Sequence, residues 1–290
     1  MKKKLLITGS NGQLGRAIRA LYDGSTEYEL ILTDFGVEGI KDLDISKADA
    51  VMEALREIRP YAVINCAAFT NVDGCETNED TAFLINAIGP RNLAVAAEEN
   101  GAKLVHISTD YVFPGTSKDP LTEFDPVGPV SAYGRTKLAG EDFVRRFSRH
   151  YFIIRTAWLY GDGKNFVKTM LRLSESHDTV RVVSDQIGSP TSADALARAI
   201  DVLLPTDNYG LFHGTCEGEC SWADFTKEIF RLRGIKTEVI PVTSEQYREM
   251  NPASANRPAF SVLENYMFQL TTAYRFPDWK DAIAAYLENQ

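Results

Sequence analysis

A short apolar run that ends in a glycine-spaced turn limits what this chain can fold into more than any other feature. Residues 4–8 are Lys-Leu-Leu-Ile-Thr, and Thr8 opens the stretch T-G-S-N-G-Q-L-G, a G-x-x-G-x-x-G pattern closed by Gly15. A strand that feeds such a turn and then a helix predicts the first βα unit of a dinucleotide-binding sheet. Gly9 permits the tight turn. Gly12 lets backbone amides approach a pyrophosphate resting on the positive N-terminus of the next helix. Gly15 allows that helix to lie close to the strand.

Further apolar runs at 29–33, 61–66, 103–108 and 151–155 predict strands, and 13–23, 48–58, 81–100 and 132–148 predict helices between them. The runs do not alternate apolar with polar residues, so both faces are expected to be buried, as in a parallel sheet. Strand–helix alternation then implies right-handed crossovers and an α/β fold, a doubly wound parallel sheet of Rossmann type. Beyond about residue 156 the pattern loosens into helices at 166–176, 192–204, 222–233 and 280–289 and short strands at 181–183, 211–213 and 238–241. Residues 1–156 therefore read as mainly the dinucleotide-binding domain, and 157–290 as mainly a smaller, mixed α/β substrate-binding region. With no linker between them, the two are expected to interleave.

Composition bounds the partners. Lys and Arg number 31 against 40 Asp and Glu, a net charge of −9 that argues against nucleic acid or an anionic membrane as partner. No stretch approaches the roughly 18 uncharged apolar residues of a membrane span. The apolar part of the N-terminal segment is too short for a signal peptide. The four cysteines are sparse for a disulfide scaffold, which suits a reducing compartment. A soluble cytoplasmic protein is expected. His213, Cys216 and Cys220 have a metal-like spacing, but no second cluster supplies a fourth ligand, and they read as incidental thiols near a strand end.

Two local patterns carry chemistry. Asp34 ends the second run, at about the separation, on the order of 20 residues, of a ribose-binding acid. A carboxylate there accepts from both ribose hydroxyls and repels a 2′-phosphate, which favours NADH over NADPH. Asp34 capping a loop, or Arg16 offsetting the repulsion, are the alternatives. Farther on, Tyr133 and Lys137 stand four apart, on one face of a predicted helix. A phenol of pKa about 10 exchanges protons slowly at neutral pH, and a neighbouring ammonium would lower that value. Such a tyrosine can protonate a developing alkoxide as hydride arrives from a nicotinamide. The fourth strand ends at Ser108-Thr109, and either hydroxyl could bond the same carbonyl oxygen.

With these segments in view the chain resembles the extended short-chain dehydrogenase/reductase superfamily, and within it the dTDP-4-dehydrorhamnose reductase family. Residues 65–73 resemble that family's N-x-A-A-Y/F-T-x-V-D, 108–113 its S-T-D-Y-V-F, and 155–161 its R-x-x-W-L/V-Y/F-G. Asn165-Phe166-Val167 resembles N-F-V, residues 185–191 resemble D-Q-x-G-x-P-T, and Arg257-Pro258 with Ser261 resembles R-P-x-x-S. The matches run in order along almost the entire chain.

The resemblance implies hydride transfer from NADH or NADPH to C4 of dTDP-4-dehydro-β-L-rhamnose, giving dTDP-L-rhamnose. It implies that Thr109, rather than Ser108, orients the carbonyl, that Tyr133 donates the proton, and that Lys137 tunes Tyr133 and holds the nicotinamide ribose. It places the dinucleotide on Gly9, Asn11, Gly12, Gln13, Leu14, Asp34, Asp44, Ile45, Ala67, Ala68 and Thr70, with Tyr133 and Lys137. The dTDP-sugar falls to Val72, Asp73, Thr109, Tyr133, Trp158, Asn165, Gln186 and Arg257. Some members dimerise through Mg²⁺ held by glutamates, one just inside the helix after the glycine turn. That stretch is Arg16-Ala17-Ile18 here, so a monomer or a weak homodimer without a metal bridge is expected, and no essential metal. The alternatives are another nucleotide-sugar 4-ketoreductase, an epimerase or dehydratase, or a non-catalytic dinucleotide-binding regulatory homologue. Loss of Tyr133 or Lys137 would mark the last, and both are present.

Overall fold

A computed structural model describes residues 2–289. Strand β1 (Lys3–Thr8) leads through the glycine turn into helix α1 (Gln13–Leu21). There follow β2 (Tyr28–Asp34), the two-residue β3 (Lys41–Asp42), α2 (Ala48–Ile58), β4 (Ala62–Asn65), α3 (Val72–Thr77), α4 (Glu79–Phe83), α5 (Gly89–Glu99), β5 (Lys103–Thr109), α6 (Ala132–Phe147) and β6 (Tyr151–Thr156). The second half holds β7 (Leu159–Tyr160), α7 (Phe166–Ser174), β8 (Thr179–Val183), β9 (Ile187–Gly188), β10 (Thr191–Ser192), α8 (Ala193–Leu203), β11 (Gly210–His213) and β12 (Cys220–Ser221). It ends with α9 (Trp222–Arg233), β13 (Glu238–Val242), α10 (Ser244–Met250), α11 (Tyr266–Thr271) and α12 (Trp279–Glu288).

Seven strands form one parallel sheet in the order β11-β6-β5-β4-β1-β2-β3. Burial on both faces explains the unbroken apolar runs. Leu5 and Ile7 of β1 join Ile64, Val105 and Ile154 in a core packed against Ile18 of α1 and Ile200 of α8. Leu6, between them, joins Val63, Leu104 and Ile153 in a second core against Leu55 of α2 and Leu93 of α5. The strand order reverses between β1 and β4, and that reversal opens a crevice at the strands' carboxyl ends. The second half contributes β11 to the main sheet, where His213 pairs in register with Arg155.

One predicted helix differs in kind. The segment expected over 81–100 is helical from Glu79 but widens into a π turn at Leu84–Ile88 before α5. The wide turn serves tertiary packing. Asn86 within it accepts from Phe69 N at 2.8 Å and donates to Phe69 O at 3.1 Å, which pins the loop after β4. Gly140 of α6 packs on the Asn86 carbonyl, where a side chain would not fit. Helices α3, α10 and α11 have no counterpart among the expected elements. Each has at most seven residues, too few to show a periodic face.

Gly9 has φ +63°, and a Cβ there would meet Ala67 N at 2.6 Å, so the β1 turn and the loop after β4 touch through backbone alone. Gly9→Ala is expected to lose about 1–3 kcal/mol of stability from the left-handed backbone, and more from the clash. Thermal denaturation reads it; an unchanged Tm would contradict the packing described.

Candidate active site

The crevice is a cleft of about 1100 Å³. Gly9, Asn11, Gly12, Gln13 and Leu14 line it from the first turn, Asp34 from the end of β2, and Asp44 and Ile45 from the loop after β3. Ala67, Ala68, Thr70 and Val72 form the wall after β4. Thr109, Tyr133, Lys137 and Trp158 close the far end. The strand ends are stitched together below it: Thr8 Oγ1 donates to Asn65 Oδ1 at 2.7 Å, and Asn65 Nδ2 meets His106 Nδ1 at 3.0 Å.

Asp34 braces the glycine turn and lines the cleft as well. Its carboxylate accepts from Asn11 N and from Phe35 N, each at 2.9 Å. Arg16 holds the other side of the turn, donating to Asn11 O at 2.8 Å and pairing with Asp162 at 2.7 Å. The turn's own amides at Ser10, Asn11 and Gly12 donate within the protein, to Thr33 O, Asp34 and Gly9 O, so it is the N-terminus of α1 at the cleft that fits a pyrophosphate.

The candidate catalytic face, with Tyr133 and Lys137, is built on α6. Ser131 caps the helix by accepting from Gly134 N at 3.1 Å. One turn in, Lys137 is 2% exposed and donates to Ile107 O at 2.6 Å. Burial draws its pKa down to about 8 against the pull of Glu141 and Cys66. Tyr133 lies half-buried, its ring edge-on to Tyr111 with centroids 5.5 Å apart. Burial, not the ammonium, sets the direction for its phenol and pushes the pKa up, while the Thr109 hydroxyl beside it acts the other way. The sequence expectation of a lowered phenol is corrected to that extent. Tyr133 stays protonated at neutral pH, which suits a proton donor.

The two strand-end hydroxyls differ in what they are free to do. Ser108 Oγ donates to Glu141 Oε1 at 2.6 Å, and Glu141 in turn takes two hydrogen bonds from Arg155, at 2.9 and 2.8 Å. Burial pushes the Glu141 carboxyl up, but the Arg155 hydrogen bonds and charge outweigh it and keep it ionised. Ser108 lines the cleft beside Thr109, but its proton is committed to Glu141. Thr109 donates to Asp110 Oδ1 at 3.0 Å, accepts from Tyr111 N at 3.2 Å and faces Tyr133.

Trp158 has φ +48°, a conformation rarely adopted by a bulky side chain. Stacking holds it there: its ring lies 3.5 Å from that of Trp222 at an interplanar angle of 7°. Gly188 packs against it, where a Cβ would come within 2.6 Å of the indole.

Four expected substrate residues are outside the cleft lining. Asp73 and Arg257 bond each other at 2.8 Å, joining α3 to the segment before Ser261. Asn165 caps α7 by accepting from Lys168 N at 2.9 Å and donates to Gly161 O at 2.6 Å. Gln186 donates to Ser244 Oγ at 2.9 Å, at the start of α10. Conversely, Phe35, Lys164 and Trp222 line the cleft although no motif marks them as site residues. Phe35 directly follows Asp34, a usable signal. Trp222 begins a helix far from any motif, and nothing in the linear sequence announces its stacking.

A parallel doubly wound sheet, a pyrophosphate-type turn and a Tyr–Lys face opposite a strand-end hydroxyl together define an oxidoreductase of the extended short-chain dehydrogenase/reductase class. The comparisons agree. A family model described as the RmlD substrate binding domain matches residues 3–290. A dTDP-4-dehydrorhamnose reductase structure from Clostridium acetobutylicum is 51% identical, with a TM-score of 0.92 over 99% of each chain. One from Bacillus anthracis, solved in complex with NADP, is 41% identical, with a TM-score of 0.93 over 100% of each chain. The spore coat polysaccharide biosynthesis protein SpsK of Bacillus subtilis is 40% identical over 99% of this chain and 98% of its own. The chain belongs to the dTDP-4-dehydrorhamnose reductase family.

Two variants separate the hydroxyls. Ser108→Ala is expected to lose about 1.5–3 kcal/mol of stability, the worth of a hydrogen bond to a charged group, and to keep most turnover. Thr109→Val is expected to do the reverse. Chemical denaturation and steady-state rates check both; the opposite allocation would assign the carbonyl to Ser108.

Proposed function

We propose that this protein reduces the C4 keto group of dTDP-4-dehydro-β-L-rhamnose to dTDP-L-rhamnose, within dTDP-rhamnose biosynthesis, a precursor route to cell-surface polysaccharide. The observation that carries this reading is the Tyr133–Lys137 face set opposite Thr109 in the same cleft as the glycine turn. A bound nicotinamide dinucleotide supplies the hydride. Thr109 orients the carbonyl, and Tyr133 gives its proton to the carbonyl oxygen. Lys137, fixed to Ile107 O at 2.6 Å, directs its other N–H groups to the nicotinamide ribose and carries positive charge near the phenol. Asp44 accepts from the adenine amine, and Ile45 gives it an apolar face. Val72 and the Trp158–Trp222 stack offer apolar surface to the sugar or base, with the Asp73–Arg257 pair at its border. For Asn165 and Gln186, their hydrogen bonds to neighbouring elements support a role in shaping this wall.

Another dTDP-4-keto sugar as substrate is the second reading, and a dTDP-4-keto-6-deoxy-D-glucose reductase of Streptomyces niveus, 40% identical over 91% of this chain and 89% of its own, is the observation that keeps it. A 4,6-dehydratase is less well supported, because Tyr111 stands where a glutamate after Asp110 would be wanted. No helix among the described residues is long and apolar enough to cross a membrane, and the free thiols suit a reducing compartment such as the cytoplasm.

Oxidation of NADH or NADPH with a panel of dTDP-4-keto sugars tests the reading. Tyr133→Phe is expected to lower turnover by about 10²–10⁴-fold, the usual worth of a positioned proton donor, with dinucleotide affinity retained. A variant keeping more than a tenth of wild-type turnover, with chemistry limiting, would move the proton donor elsewhere.

For the dinucleotide, Asp34 supports NADH binding at least as well as NADPH, and Asp34→Ala is expected to narrow the difference. Calorimetric titration of both reads it; a large wild-type preference for NADPH would refute the carboxylate argument.

A further inference from the structure

Beside the Tyr133–Lys137 face the cleft holds an acid that the reduction, as described, does not use. Asp110 opens the single 3-10 turn Asp110–Val112 after β5. It is 1% exposed, yet it borders the cleft. Its oxygens face two parts of the chain. Thr109 Oγ1 donates to Oδ1 at 3.0 Å, and Ser261 Oγ donates to Oδ2 at 2.6 Å. Ser261 comes from the segment that pairs with the strand carrying Ile187, through Ser261 N to Ile187 O at 2.9 Å. Thr109 adjoins the Tyr133 phenol. Tyr133, Thr109 and Asp110 thus form a row leading inward from the site of reduction.

Among the described residues Asp110 has no salt bridge, so hydroxyl and backbone donors alone meet its charge. The titratable and charged groups around it are Tyr111 on its own turn, Tyr133 of α6 and, beyond Tyr111, Arg257. Arg257 is already paired with Asp73. Burial without a cation favours the neutral acid. It pushes the Asp110 pKa up to about 6, against the Ser261 and Thr109 hydroxyls and the backbone N–H groups of Asp110 and Tyr111, which favour the ionised form.

We propose that Asp110 is the proton reservoir of this site, returning a proton through Thr109 to Tyr133 after each reduction. The proposal rests on the reduction assigned above. When loaded, the acid donates to Thr109 Oγ1, reversing that hydrogen bond, which frees the Thr109 hydroxyl to orient the carbonyl until the phenol's proton has left and then to turn to Tyr133. As hydride reaches the carbonyl carbon, the carbonyl oxygen takes the Tyr133 proton. Tyr133 takes the Thr109 proton, and Thr109 takes that of Asp110, which is left as a carboxylate braced by Ser261. Water in the cleft reloads Asp110 once product leaves, so each turnover consumes one hydride and one solvent proton.

Three measurements test it. Wild-type kcat is expected to fall as pH rises through the Asp110 pKa, because the loaded fraction falls. Asp110→Asn keeps the size of the side chain but cannot pass a proton on; kcat is expected to drop at least about tenfold, on the scale of proton-transfer contributions, with KM and dinucleotide affinity little changed and the pH limb gone. Ser261→Ala removes a hydroxyl that favours the carboxylate, so the limb is expected to move to higher pH, a shift that a simple brace would not produce. An Asp110→Asn variant with wild-type kcat and pH profile, or a limb unmoved in Ser261→Ala, overturns the proposal. Infrared titration of the NADPH complex, wild type minus Asp110→Asn, reads the carboxyl whichever sugar is reduced. A protonated carboxyl persisting to about pH 6 is expected, and one fully ionised at that pH overturns the reservoir even if the reductase reading stands.

Discussion

Arg155 on β6 meets Glu141 on α6 through two parallel hydrogen bonds, with side chains 2% and 0% exposed. Tyr133, Lys137 and Glu141 stand four residues apart on one helical face, so fixing the last fixes where the first two point. The same carboxylate accepts from Ser108 and from Arg145, each at 2.6 Å, so β5, β6 and α6 converge on one charge. Removing one partner of such a buried pair costs about 3–5 kcal/mol, because the other is left uncompensated. The pair's main consequence is registration: the phenol and the ammonium are held against the end of β5, where Thr109 stands.

The cleft wall depends on the same economy of placement at the other strand ends. Thr8, Asn65 and His106 tie β1, β4 and β5 together just below the point where the strand order reverses. Asn86, in the π turn, holds the Phe69 loop by both its amide N–H and its carbonyl. The glycine turn, the Ala67–Ala68 wall and the Thr109–Tyr133 face are therefore borne by rigid elements that share one sheet. The second half of the chain then reaches back across the cleft through two polar contacts, Arg257 to Asp73 and Ser261 to Asp110. A sugar held by that half, as proposed, would meet a Thr109–Tyr133 face whose own geometry is already fixed.

Much of this was legible in the linear sequence, for identifiable reasons. Strands buried on both faces leave unbroken apolar runs, and the glycine turn leaves a fixed spacing. The Tyr133–Lys137 pair obeys the helical repeat. What stayed hidden depends on long-range partners. Glu141 extends the Tyr–Lys spacing by one more turn, but Arg155, its partner, reads in sequence only as the start of the segment containing Trp158. Ser108 and Thr109 are adjacent hydroxyls, and only the fold shows that one donates to Glu141 and the other to Asp110. Asn165, Gln186, Asp73 and Arg257 carry polar groups suited to a sugar, yet in the fold these are engaged by neighbouring elements. The Trp158–Trp222 stack joins two segments with no common pattern. Helix α10 had a readable signal, the capping box between Thr243 and Gln246, but it is too short for a periodic face to confirm it.

With a dinucleotide along one half of the cleft, as proposed, the other half is left to offer a proton, an orienting hydroxyl and an aromatic wall. That combination predicts where a hydride must arrive. With NADPH deuterated at the transferred C4 position and dTDP-4-dehydro-β-L-rhamnose as substrate, nuclear magnetic resonance of the product measures the destination of the label directly. One deuterium is expected at C4 of the hexose of dTDP-L-rhamnose, with no exchange into solvent. Product lacking the label, or deuterium at any other carbon of the sugar, would contradict it.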